Sequence, residues 1–188
     1  MNTTRTRRKA WGLLILGLGT LAGGAGRAWA GATADGTVTV TPVATVLLAL
    51  APTTYAYGVL AVNVSSISAS ALTLSNTGQV NVTVTKQITN QSNPVGWTAA
   101  VAVSTDAYVL SIATSTARPV TGDFTSSTQL GLVSASTNLT GAAGTQPVIT
   151  LPGGALTSVA LWFKIDMPTV VTSQTGREIT VRFTGTAQ

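Results

Sequence analysis

From Ala71 to Thr85 the sequence reads ALTLSNTGQVNVTVT, with apolar residues at every second position on both sides of a turn-forming Asn-Thr-Gly. Leu72 and Leu74 alternate with polar neighbours, and Val80, Val82 and Val84 do the same. A period of two places alternate side chains on opposite faces of an extended chain, so the stretch predicts a β-hairpin with one oily and one hydroxyl-rich face. A pair of strands cannot bury such a face alone, so a second sheet is expected to cover it.

The same alternation returns along the chain. Trp97, Ala99, Val101 and Val103 share one face, and Tyr108, Leu110 and Ile112 share another. The longest run sets Val159, Leu161, Phe163 and Ile165 against Ala160, Trp162, Lys164 and Asp166. The last sets Ile179, Val181 and Phe183 inward and Thr180, Arg182 and Thr184 outward. No amphipathic helical period intervenes, so about nine strands and no βαβ unit are expected. The fold class that follows is all-β, an antiparallel β-sandwich of immunoglobulin-like or jelly-roll type with an extended N-terminal arm.

Residues 1–30 read as an export signal. Arg5, Arg7, Arg8 and Lys9 form a basic start, Trp11 to Ala22 a short apolar run, and Ala28-Trp29-Ala30 a small-x-small cleavage site. The run is shorter than the roughly 20 residues of a permanent bilayer helix, so the mature protein is expected to be secreted, without an integral membrane segment. Five of the ten basic residues leave with this leader, and the five that remain balance five acidic residues. The basic character of the whole chain therefore belongs to the leader, and a nucleic-acid partner is not expected. A neutral surface lacks the mutual repulsion that keeps copies apart, which favours self-association.

Cysteine and histidine are both absent. That removes disulfides, the usual zinc and iron ligands, and the Ser-His-Asp and Cys-His arrangements. The acids Asp35, Asp106, Asp123, Asp166 and Glu178 are scattered, with no pairing that suggests glycoside hydrolysis and no spaced oxygen cluster for calcium. Lys86 and Lys164 are the only mature lysines, and both read as side chains lying along a sheet surface. No catalytic residue, cofactor or metal is expected, and the chain reads as a non-enzyme.

The mature chain, residues 31–188, divides into an arm over 31–50 and a sandwich over 51–188. In the arm Thr37 to Thr41 alternates strictly around Val38 and Val40, Pro42 interrupts, and Val46 to Leu50 is almost unbroken apolar sequence. Pro42 cannot donate to a ladder, so it marks an edge, an end or a kink. The arm suits two places: strand A of its own sandwich, or a strand inserted into a groove elsewhere.

The segment Tyr57-Gly58-Val59-Leu60, followed by Leu72 to Gly78 and Val80, resembles the start of bacterial immunoglobulin-like repeats. More broadly, a secreted Thr/Ala/Val-rich chain with an alternating N-terminal arm resembles subunits of bacterial and archaeal extracellular filaments. In those, the arm of one subunit completes the sandwich of the next. The resemblance implies a structural, pilus-like homopolymer in which Val38, Val40, Val46 and Leu48 of the donor strand form the subunit interface. The chain departs from chaperone-usher pilins, because it has no cysteine pair and its end, Thr184-Gly185-Thr186-Ala187-Gln188, has no penultimate aromatic. The alternative is a secreted carbohydrate-binding or adhesive module making glycan or surface contacts, with Trp162 as its candidate exposed aromatic.

Overall fold

A computed structural model describes residues 37, 39–43, 45–130, 137–142, 148–154 and 157–188. The chain divides into two units, Met1–Val40 and Thr41–Gln188. Of the first unit only Thr37, Thr39 and Val40 are described, all exposed and outside regular structure, and the expected leader and Val38 lie outside the described residues.

The second unit is an all-β sandwich of two sheets. Its strands are β1 (Leu48–Ala51), β2 (Ser65–Ile67), β3 (Leu72–Asn76), β4 (Val82–Asn93), β5 (Thr98–Ala99), β6 (Ala107–Thr114), β7 (Gln129–Leu130), β8 (Thr137–Asn138), β9 (Thr150–Leu151), β10 (Thr157–Asp166) and β11 (Glu178–Ala187). The larger sheet has the order β1-β3-β10-β6-β5, with β2 beside β10 and β7 beside β6. The smaller has the order β11-β4-β8, with β9 also on β4. Pairing is antiparallel apart from the short β5–β6 contact.

The alternations at 108–112, 159–165 and 179–183 fall on β6, β10 and β11 with the expected faces inward. Leu72, Leu74, Val82, Val84, Ile88, Leu110, Ile112 and Leu161 fill the space between the sheets. All eight residues of β6 are buried, because the chain after it folds back over the outer face. There the Arg118 guanidinium donates to the carbonyls of Ser68 and Ile67, and the Trp162 indole donates to that of Ser115. On the expected Trp97–Val103 face only Thr98–Ala99 is strand, and Val101 is exposed.

The expected hairpin is not formed. β3 lies in the larger sheet and β4 in the smaller, so residues 77–81 carry the chain across the core. Leu72 and Leu74 then meet Val82 and Val84 face to face, which satisfies the same alternation that a hairpin would. The tight hairpin turns need positive φ, and none of Asn76, Thr77 and Gly78 has it.

Asn76 holds this crossing. Its side chain is fully buried, and its amide nitrogen donates to the carbonyls of Val80, Leu151 and Pro152 at 2.8, 3.0 and 3.1 Å, while Oδ1 accepts the Gly78 N–H at 2.9 Å. Gly78 is needed for close approach, since a Cβ there would stand 2.3 Å from the Thr45 oxygen and 2.8 Å from the Leu47 nitrogen.

Asn76→Ala strands three carbonyls in a closed site, so we expect a loss of about 3 kcal/mol in urea unfolding. Gly78→Ala forces residues 45–47 aside and is expected to cost about 1–3 kcal/mol. Gly122→Ala, where a Cβ meets nothing within 4 Å, serves as control and should stay within about 0.5 kcal/mol of the parent.

Candidate functional site

Two sheet edges lie on one side of the sandwich. β1 ends the larger sheet and β11 ends the smaller, and a Cβ on Gly185 of β11 would stand 3.1 Å from Leu48 and 3.3 Å from Val46. The seam between them is lined by Leu48, Leu50, Ile179, Val181 and Phe183, all packed on the core yet only half-buried. β1 and β11 each have a strand neighbour on one side only among the described residues.

The two edges differ. β1 is short, and main-chain pairs of Leu48–Ala51 with Asn76–Thr73 hold it to β3. The ladder continues upstream, where the Leu47 carbonyl accepts from Thr77 N–H at 2.9 Å and the Thr45 carbonyl from Gln79 N–H at 3.0 Å. β11 is ten residues long and pairs along one side with β4. Along its other side no main-chain partner is present among the described residues. A long strand edge in that state is a template for another strand.

The expected interface residues separate into two groups. Val46 and Leu48 are seated on their own chain at the seam, with Leu48 opposite Asn76. The segment Val46–Leu50 is thus covered on one face only. Val40 is 78% exposed and Val43 85%, and both lie outside regular structure. The edge status of β11 is the part that sequence reading missed, and its only sequence signal is that β11 is the last strand.

Trp162 does occupy the outer face of its sheet, as the alternation expects, but it is only 8% exposed. Its ring is unavailable for stacking on a sugar. The acids are engaged singly: Asp106 accepts from the Thr172 N–H and hydroxyl, Asp123 accepts from Val120 N–H, and Asp166 accepts from Ser65 and from Lys164 Nζ at 2.6 Å. Asp166 borders a cleft of about 310 Å³ with Asn63, Ser65, Val101, Gln129 and Met167, where it is the one carboxylate among the lining residues.

Lys86 corrects the surface reading given above. It follows Val82 and Val84 in the inward phase of β4 and is fully buried between the sheets. Its Nζ donates to the carbonyls of Thr128 at 2.7 Å, Ile112 at 3.0 Å and Ser127 at 3.4 Å, with no acidic partner among the described residues. The ammonium thereby joins β4 to β6 and to the 3-10 turn Ser126–Thr128. Without a counter-charge, burial disfavours the charged form and pushes the group down to about 7.

Compared with known protein families, with curated proteins and with solved structures, the chain finds no match in any of the three.

The Lys86 environment makes stability depend on pH in a specific direction. Between pH 7 and about 10 the unfolded chain holds a proton on this lysine that the folded chain has given up, so stability rises with pH across that window. Above about pH 10 the trend reverses, because burial raises Tyr57 and Tyr108 and only the unfolded chain then ionises them. Urea midpoints of the parent should climb by up to several kcal/mol of stability from pH 7 to 10. In Lys86→Met the climb should vanish, and a parent profile that is flat over this range would contradict the assignment.

Proposed function

We propose that this chain is a structural subunit of an extracellular filament, assembled by donation of the N-terminal strand to a neighbouring copy. The observation that carries the proposal is the ten-residue edge of β11, unpaired among the described residues and standing over half-buried apolar side chains. The same chain carries upstream of β1 a sequence that alternates strictly from Thr37 to Thr41, in which Thr37, Thr39, Val40 and Thr41 are exposed. An extended segment added to an open edge gains main-chain hydrogen bonds, and its alternate side chains fix the register.

Because Val46 and Leu48 are engaged within their own chain, the donated part is the stretch before them, with Val38 and Val40 as its inward residues. Burying Val40 alone is worth about 1.5–3 kcal/mol. A surface pair that repeats head to tail without closing gives a fibre rather than a ring. Export through the leader would place the fibre outside the cell. A glycan-binding module built on Trp162 has no observation in its favour, since the ring is covered.

The experiment is electron microscopy with size-exclusion chromatography of residues 31–188 beside a chain starting at Thr45, which keeps β1 and removes residues 31–44. Filaments are expected from the longer chain alone. If both stay monomeric over a range of salt and concentration, or if both polymerise equally, strand donation by this segment is wrong.

A further inference from the structure

The sandwich has two distinct ends. At one end lie Asn76, Val82 and Ala187, joined by the hydrogen bonds from Gly154 N–H to Gly78 O and from Gln188 N–H to Asn81 O. At the other lie Ser65, Asp166, Asn93 and Glu178, with the Tyr108 hydroxyl donating across to Gln91 O. β1 starts at the Asn76 end, so the chain enters β1 from that end. β11 runs the opposite way, entering at the Asp166 end with Glu178 and finishing at the Asn76 end with Ala187.

We infer that the free edge of β11 accepts residues 37–41 of the next copy in antiparallel orientation, within a head-to-tail row of subunits. This rests on the strand-donation reading and adds the acceptor, its polarity and the stretch used. When the Asn76 end of one subunit faces the Asp166 end of the next, the first part of β11 that the donor meets is Glu178. A donor reaching down from there runs, in chain direction, back up towards its own body. β11 runs down, so the two are antiparallel.

Reach and chemistry agree with this. Residues 37–44 extend over about 26 Å, and Glu178 to Thr184 spans about 20 Å. The register shifts of β11 against β4 lie between Glu178 and Val181, and from Val181 onwards the strand is regular, so a donor of this length passes the irregular part and reaches the regular edge. The donor carries no charge from Thr37 to Thr54, so Arg182 and Glu178 meet no like charge on it. Its inward Val38 and Val40 would fall over the half-buried Val181 and Phe183, completing the cover that this side of the core lacks.

The chain contains no cysteine, which permits a direct test. Full-length chains, expressed with the leader, would each carry one substitution: Thr37→Cys, Thr39→Cys or Thr41→Cys in the donor, and Thr180→Cys, Arg182→Cys or Thr184→Cys in β11. All six positions are exposed, so folding should be unaffected. Opposed residues of antiparallel strands have Cα atoms about 4.5–5.5 Å apart, within the range a disulfide bridges. Pairs would be mixed, oxidised, run on non-reducing gels and viewed by electron microscopy.

The expected result is intermolecular disulfides whose β11 partner moves from 180 towards 184 as the donor cysteine moves from 41 to 37. The reverse order would overturn the polarity. Filaments without any donor–β11 disulfide would overturn the acceptor while leaving strand donation intact. Closed dimers linked through Arg182→Cys alone would show two β11 edges paired with each other, and would also overturn it. Absence of filaments in the parent chain would remove the strand-donation reading itself.

Discussion

One carboxamide holds the two sheets in their relation at the Asn76 end. Between Leu74 and Val82 the chain leaves one sheet and enters the other, and a crossing of that kind exposes carbonyls that no ladder can satisfy. Asn76 supplies donors to three of them from two separate segments, Val80 and Leu151–Pro152, and accepts Gly78 N–H in return. With its donors and acceptor engaged the buried amide is stabilising, whereas a half-satisfied amide there would be worse than an apolar residue. The position of β1 follows from the same crossing, because Gly78 lets the chain at Thr45–Leu47 pass within van der Waals distance of it.

How much of this was legible in the sequence depends on the level asked. The period of two states which side chains point inward, and it did so correctly for β3, β4, β6, β10 and β11. It does not state which sheet a strand joins. Leu72-x-Leu74 and Val80-x-Val82-x-Val84 keep the same phase whether the strands lie side by side or face to face. The Asn-Thr-Gly between them reads as a hairpin turn, yet its Asn is a buried amide and its Gly a point of close approach. Lys86 shows the converse. It sits in phase with Val82, Val84 and Ile88, and the phase was the better guide; residue type alone led to the surface.

The candidate interface was legible on one side only. An uncharged alternating arm can be recognised from residues, because extension and exposure are local properties. An open sheet edge cannot, because being last in a sheet is a property of the topology and leaves no mark on Ile179, Val181 or Phe183. The placement of Val46 and Leu48 was open for the same reason. An apolar run fits a groove equally well whether the groove belongs to its own chain or to another, and the structure seats them on their own. Trp162 shows that facing outward from a sheet differs from being exposed, since Arg118 and Ser115 belong to a connection that crosses that face.

The distribution of polar anchors divides the sandwich into a fixed part and a soft one. Lys86 ties β4 to β6 and to the turn at 126–128, and Asn76 closes one end, so the centre and that end are held by buried polar groups that lose hydrogen bonds if strands move. At the lateral seam the only side-chain hydrogen bond to β1 or the residues just before it, among the described residues, is the long 3.4 Å contact from the Thr77 hydroxyl to Leu47 O. The remaining hold there is main-chain pairing and the half-buried Leu48 and Leu50. Regions with few buried contacts and solvent-facing hydrogen bonds are where local opening costs least. Opening confined to the seam would expose an apolar row without disturbing the anchored core, and a second chain laid along β11 would stabilise the side of the fold that has the least of its own.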